Sequence, residues 1–577
     1  MSSVLAGMAC MRAWVVRFGS ALSGVGLLLG TLFFAASLTP SLIPRTYVMQ
    51  GLLAGISFAT GYGLGVLWRW FWAYMELPEP GAHWRRRANL GVFGFCMVVA
   101  GLFLWQAADW QNSIRVLMEM APVDSAHPLK VCGIAILTFG VLRWLARLFG
   151  WVVGIVSGRI HRYVPRRLAN MLGLLVAVVL FWSLASGVFF RGLLFIMDSS
   201  YRQRDALIEP SRPRPESPHR SGSADSLIKW KELGRAGREF IASGPSAQDI
   251  AAFTGRPAME PIRVYAGLRA AETPEQRARL ALDELIRMGA FDRSILVVIT
   301  PTGTGWIDPA AMDSLEYLHH GDVASVALQY SYLSSPLSLM VEPEYGVDVA
   351  RALFAEIYEH WTRMPRDARP RLYLHGLSLG AYNSERSAQL FEMISDPIDG
   401  ALWSGPTFQN LLWRSITADR NEGTPAWLPE FHDGTLIRFM NQDGFTVPPD
   451  TPWGPIRVVY LQYASDPVTF FDPRGFYRPP AWMSGARARD VSPELRWHPI
   501  VTMLQLALDM MLAGTTPMGY GHVYAPEHYV PGWLAVTAPQ GWTPASIARL
   551  NQHLKESMAR AMSDEPDEET AFANRGG

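Results

Sequence analysis

Thiols are scarce in this chain of 577 residues: the three cysteines, Cys10, Cys96 and Cys132, fall in its first quarter, and the 445 residues that follow contain none. That rules out a disulfide framework or a cysteine-based metal site, and it suits an oxidising compartment. Net charge is missing as well, with 51 Lys+Arg against 51 Asp+Glu, and nothing in the composition suggests nucleic-acid binding. The balance hides an asymmetry. Residues 1–200 carry 16 Lys+Arg against 6 Asp+Glu, and the rest carry 35 against 45, which reads as a basic membrane portion followed by a mildly acidic soluble one.

Long apolar runs are what the first 200 residues have in plenty. Five stretches, near 20–40, 47–73, 88–106, 129–151 and 170–197, are each long enough to cross a hydrocarbon core of roughly 30 Å as a helix. None holds an acidic residue deep in its centre, so the buried charge that marks a proton or ion route is absent. The first stretch lacks a clear cleavage site and is followed by further spans, unlike a removable signal peptide. Gly51, Gly55, Gly61, Gly63 and Gly65 line the second span, where small residues let helices approach closely. Arg12 and Arg17 precede the first span, Arg69, Arg85, Arg86 and Arg87 separate the second from the third, and Arg143, Arg147, Arg159, Arg162, Arg166 and Arg167 surround the fourth-to-fifth connection. The alternate loops hold only Arg45 in one and Arg115 and Lys130 in the other. The positive-inside rule therefore predicts a cytoplasmic N-terminus and, after five spans, an extracytoplasmic soluble portion. Trp68, Trp70, Trp72, Trp105 and Trp110 near span ends fit interfacial anchoring.

The expected organisation is a polytopic membrane domain over 1–198, a flexible or extended Pro/Arg/Ser-rich linker over 199–229, a soluble domain over 230–560 and a disordered acidic tail over 561–577. Within the soluble domain helical and strand patterns alternate, with strands at 262–268, 294–300, 323–330, 371–375, 400–404 and 456–464 and helices near 230–242, 274–288, 309–319, 345–362, 380–393, 497–513 and 543–557. Such alternation predicts an α/β fold, a mostly parallel sheet with helices on both faces, preceded by an all-α transmembrane domain.

The short apolar run Arg371–His375 leads into Gly376-Leu377-Ser378-Leu379-Gly380. This has the form of a nucleophile elbow, in which a strand turns sharply into a helix and glycines flank the turn because a Cβ would collide with its neighbours. Fifty glycines make a chance match ordinary, so the surroundings must decide. A serine hydroxyl needs a histidine base, an acid that orients the base, and donors for the developing oxyanion. In an α/β-hydrolase the chain order is Ser, acid, His. Asp466, in Ala464-Ser465-Asp466-Pro467 directly after a late strand, stands where the acid belongs, with Asp472 in reserve. His522, in Gly519-Tyr520-Gly521-His522-Val523-Tyr524, is the candidate base and His528 its rival. The N–H of Leu379 and a donor from Gly303 or Thr304, in the loop Pro301-Thr302-Gly303-Thr304-Gly305-Trp306, would form the oxyanion hole. That loop lacks the Gly-Lys-[Ser/Thr] ending of a phosphate-binding loop, which excludes the nucleotide reading. His319-His320 lacks further ligands at metal spacing, and His360 reads as a packed helix residue. Gly234 and Gly237 suit linker docking or headgroup contact.

With these segments assembled, the chain resembles a bacterial family of membrane-anchored α/β-hydrolases that join a polytopic N-terminal domain to an extracytoplasmic serine hydrolase. The resemblance rests on Ser37-Leu38-Thr39-Pro40-Ser41-Leu42-Ile43-Pro44-Arg45, Pro261–Tyr265, Gly289–Arg293, Thr302–Trp306, Gly376–Gly380 and Gly521–Tyr524. It implies an esterase- or lipase-like activity at the surface of the cytoplasmic membrane, on a lipid or other membrane-associated ester. Since some relatives are associated with hydrolysis of aminoacylated phosphatidylglycerol, an aminoacyl-phospholipid is the most concrete substrate it suggests. Such chemistry calls for neither a metal nor an organic cofactor. An acyltransferase with the same triad, shielded from water by a lid within 405–455, and a non-enzymatic membrane scaffold are the alternatives.

Overall fold

The computed structural model describes residues 22–79, 81–184, 212–333, 344–388 and 393–564, together with the single residues 205, 208 and 338. The chain divides into two compact units, one of residues 1–191 and 471–512, the other of residues 192–470 and 513–577. The first unit opens with helices α1 (Gly24–Leu38), α2 (Tyr47–Tyr74), α3 (Ala82–Arg115), α4 (Pro128–Ile160) and α5 (Arg166–Trp182). Three of them, α2, α3 and α4, are long and apolar enough to cross a membrane. Where five such spans are expected, α1 and α5 have 15 and 17 residues. At about 1.5 Å per residue these reach roughly 23 and 26 Å. Thr39 and Pro40 end α1 early, and residues 185–197 of the expected fifth span lie outside the described residues.

Small residues set the packing of α1, α2 and α4. A Cβ on Gly51 would stand 2.7 Å from Ile134 Cβ, one on Gly55 2.6 Å from Thr138 Cβ, one on Gly61 2.5 Å from the Leu29 carbonyl oxygen, and one on Gly65 2.6 Å from Gly26 Cα. Gly63 alone of the five faces open space. Trp68, Trp70, Trp72 and Trp105 are exposed, as interfacial anchors need to be, whereas Trp110 is buried against Phe103.

The second unit follows with α6 (Gly234–Ser243), α7 (Ala247–Thr254), β1 (Ile262–Ala266), α8 (Pro274–Arg287), β2 (Ile295–Thr300), α9 (Pro309–Leu318), β3 (Val323–Leu328), α10 (Tyr345–Arg363), β4 (Arg371–Leu377), α11 (Leu379–Ser387), β5 (Gly400–Ser404), α12 (Leu411–Ala418), β6 (Ile437–Asn441), β7 (Gly444–Phe445), β8 (Arg457–Leu461) and the single turn α13 (Pro467–Phe470). Then come α14 (Val501–Met511), within the stretch that belongs to the first unit, and α15 (Pro526–Thr537) and α16 (Pro544–Asp564) in the second. The strands form one sheet in the order β1-β3-β2-β4-β5-β8-β6-β7, parallel throughout except for β6–β7. Runs such as Ile295-Leu296-Val297-Val298-Ile299 are apolar on both faces and wholly buried, the signature of a parallel sheet covered by helices. Register aligns Thr300 with Gly376, Leu377 with Ser404, and Ser404 with Leu461. The loops after β2, β4, β5 and β8 therefore leave the sheet side by side.

Part of the expected linker is fixed in place. Arg220 is buried, its guanidinium bonded to Glu260 and to the carbonyls of Ile241, Gly244 and Pro245, and Ser221 N–H donates to the Arg263 carbonyl. At the other end α16 runs through Asp564, so residues 561–564 of the expected tail are helical and the remainder lies outside the described residues.

Candidate active site

Ser378 joins β4 to α11 with φ 59° and ψ −122°, a conformation that costs a non-glycine residue energy and is held only where its surroundings enforce it. The flanking glycines are that enforcement. A Cβ on Gly376 would lie 2.5 Å from the carbonyl carbon and oxygen of Gly380, and one on Gly380 would lie 2.2 Å from the Thr300 carbonyl oxygen. The elbow is further tied to β5, since Ser378 N–H donates to the Ser404 carbonyl at 3.0 Å.

Asp466 and His522, 56 residues apart in sequence, pair with each other. His522 Nδ1 lies 2.7 Å from Asp466 Oδ2. The carboxylate also accepts the Tyr524 hydroxyl at 2.8 Å, Val468 N–H at 2.8 Å and the Thr469 hydroxyl at 3.2 Å, so both oxygens are fixed. His522 Nε2 is buried and has no hydrogen-bond partner among the described residues, Ser378 Oγ included. The ring rests on the loop after β5: a Cβ on Gly405 would stand 2.8 Å from His522 Cε1. Gly519 and Gly521 both have positive φ, and Gly521 N–H donates to Ser465 Oγ at 3.0 Å, which brings the histidine loop against the acid loop.

The loop after β2 is a tight turn. Gly305 N–H donates to the Thr302 carbonyl, Thr302 N–H to the Trp306 carbonyl, and the Tyr265 hydroxyl to the Gly305 carbonyl at 2.8 Å. Thr302 and Gly305 are thereby spent as donors, while Thr304 N–H has no acceptor among the described residues. Leu379, first residue of α11, has an N–H without an intrahelical acceptor. A cavity of about 260 Å³ borders this loop, lined among others by Asp205, Arg235, Glu239, Thr304 and Trp306. Neither Ser378 nor His522 lines it.

The reserve residues are engaged elsewhere. Asp472 caps a short turn and pairs with Arg474 at 3.0 Å. His528 Nδ1 bonds the Tyr463 hydroxyl at 2.6 Å. Burial and Arg371 push the His319 imidazole down to about 4, and its Nε2 bonds Thr537 Oγ1. His320 stacks on Trp542 and His360 packs on Phe291. Gly237 lets α6 lie on the Tyr265 ring. No group of three or more His, Cys, Asp and Glu side chains fit to hold a metal occurs among the described residues.

Residues 262–550 match the model of an alpha/beta-hydrolase family, and residues 38–245 match the model of the same family's N-terminus. The chain belongs to this alpha/beta-hydrolase family. No curated protein and no solved structure matches it. Within this alpha/beta-hydrolase, three neighbours of the site escaped sequence reading: Tyr524 and Ser465, whose side chains support Asp466 and Gly521, and Gly405 under the His522 ring. Tyr524 stood inside the quoted Gly-His-Val-Tyr motif. Gly405 gave only one signal, a glycine just past a strand end. Asp308 gave another, an aspartate before proline that caps α9 through Ala310 N–H. Its carboxyl is buried and accepts the Tyr529 hydroxyl at 3.0 Å, which also bonds Ser404 Oγ at 2.9 Å.

Proposed function

We propose that this alpha/beta-hydrolase is a membrane-anchored serine ester hydrolase in which Ser378, His522 and Asp466 form the triad. The observation that carries this reading is the 2.7 Å bond from His522 Nδ1 to Asp466 Oδ2, formed between the loop before α15 and the loop after β8, which leaves the sheet on the same side as the loop that holds the strained Ser378. Ser378 Oγ attacks the ester carbonyl while His522 Nε2 takes its proton. Asp466, accepting from Nδ1–H, holds the productive tautomer and stabilises the imidazolium. The N–H groups of Leu379 and of Thr304 or Gly303 stabilise the tetrahedral oxyanion. Collapse expels the alcohol with the proton from His522, and a water activated by the same imidazole then releases the acid.

The substrate class is an ester at the outer face of the cytoplasmic membrane, and the family resemblance favours an aminoacyl-phospholipid. Tethering raises the encounter concentration with a substrate confined to the bilayer. Ser378→Ala is expected to abolish labelling by a fluorophosphonate in the full-length protein. A variant that labels as well as wild type would falsify the nucleophile assignment. A lipid class that accumulates both in a deletion strain and in that strain carrying Ser378→Ala names the substrate.

A further inference from the structure

Arg45, last residue of the Ser37–Arg45 motif, meets Asp509 of α14 inside the first unit. Arg45 Nε lies 2.9 Å from Asp509 Oδ1, and neither side chain has exposed surface. The other carboxylate oxygen accepts Leu42 N–H at 3.0 Å. Arg45 Nη1 donates to Gln50 Oε1 at 3.1 Å, Nη2 donates to Ser41 Oγ, and the Arg45 main-chain N–H donates to Gln111 Oε1 at 2.8 Å. One turn earlier on α14, Gln505 Nε2 donates to the Thr39 carbonyl at 3.0 Å. Ser492 and Ser113 hydroxyls bond at 2.8 Å. A buried ion pair is strongly disrupted when one partner is removed, because the other charge is left without compensation.

The stretch that carries Asp509 interrupts the candidate site in sequence. The chain leaves the second unit after Phe470 and returns at Ala513. Phe470 N–H donates to the Asp466 carbonyl at 3.1 Å, and the Ala513 carbonyl accepts His522 N–H at 3.2 Å. The two residues that flank the insertion, Phe470 and Ala513 of the second unit, are thus bonded to the main chain of Asp466 and His522, the residues proposed as acid and base. A loop of that length, left unanchored, explores many conformations, and fixing its middle removes most of them.

We propose that Arg45 and Asp509 are positioning residues, through which the apolar helices hold the 471–512 insertion and thereby the acid and base loops. This rests on the serine-hydrolase reading. Neither residue touches substrate; the pair acts on the loop carrying His522, whose displacement by about 1 Å can cost on the order of 100-fold in rate.

The test uses the full-length protein in detergent, with Asp509→Asn, which keeps the shape and removes the charge, and Ser41→Ala, which removes one Arg45 partner. Three readouts are compared with wild type: the fluorophosphonate labelling rate of Ser378, kcat and KM for a p-nitrophenyl ester, and amide hydrogen exchange. Asp509→Asn is expected to lower the labelling rate and kcat by about 10-fold or more, with KM little changed. Exchange should accelerate in 466–470 and 513–523 and stay at wild-type rates in β1–β5. Ser41→Ala shifts the same readouts less. A folded Asp509→Asn protein with wild-type labelling and exchange overturns the proposal. If that variant does not fold, Ser41→Ala decides alone, and wild-type behaviour in it has the same force. A wild-type protein that no fluorophosphonate labels overturns the hydrolase reading instead, and exchange then still reports whether the pair holds the two loops.

Discussion

At Asp308 the local environment acts against the charge. Burial, with Asp313 adding to it, pushes this carboxyl from its ordinary 3.8 up to about 7, although the Tyr529 hydroxyl, Ala310 N–H and the nearby His522 pull the other way. The folded protein therefore holds a proton here that the unfolded chain releases near pH 4. Between about pH 4 and 7 the native state binds more protons than the unfolded state, so stability falls as pH rises through that window and levels off above it. Asp308→Asn cannot titrate and still caps α9. It is expected to melt several degrees above wild type at pH 8, a gain on the order of 1–4 kcal/mol, with the difference shrinking towards pH 4. Thermal unfolding in detergent at pH 5 and pH 8 checks this, and equal shifts at both pH values would refute it. His375 is a contrasting case. Burial holds its imidazole down to about 4, and its Nδ1 bonds the Leu402 carbonyl at 2.7 Å, so it contributes no charge near Ser378 at neutral pH.

Among the elements, the glycines of α2 separate packing from helix propensity. Ala favours a helix over Gly by about 1 kcal/mol, so Gly63→Ala, facing open space, is expected to be neutral or slightly stabilising. Gly61→Ala gains the same propensity but forces a Cβ to 2.5 Å from the Leu29 carbonyl oxygen and 2.8 Å from Phe33 Cγ. Overpacking of this kind costs about 1–3 kcal/mol, so it should lower the melting temperature; a result of equal sign for both variants would remove the argument. The same dependence on neighbours explains what the sequence could disclose. Strands such as Ile295–Thr300 and Gly400–Ser404 were readable because continuous apolar runs mean burial on both faces. The elbow was readable because its glycines carry a steric requirement within five residues. Helix α15 was not, since Pro526 and Pro531 read as breakers although the helix accommodates both. Strand β6 was masked by Arg438 and Asn441, and it puts part of the stretch read as a possible lid at the sheet edge. Asp466 could be anticipated from its position after a strand, and His522 from the chain order Ser, acid, His and its glycine-flanked loop. Tyr524, Ser465 and Gly405 could not, because their contacts depend on segments that only the folded sheet brings together.

For the whole molecule, the side of the membrane that holds Ser378 depends on one helix. If the α2–α3 connection, with Arg85–Arg87 at the start of α3, is cytoplasmic, α2 runs inward, α3 outward and α4 inward again, so the chain after Ile160 begins in the cytoplasm. Only one further crossing after Ile160 carries the second unit outside. The absence of thiols after Cys132 makes this directly measurable. A cysteine placed at the exposed Ala548 of α16, in a chain whose Cys10, Cys96 and Cys132 are replaced by Ser, is expected to react with a membrane-impermeant maleimide on intact spheroplasts. Reaction only after lysis would put Ser378 in the cytoplasm, and would require either that α5 does not cross or that the positive-inside assignment of the α2–α3 connection is reversed.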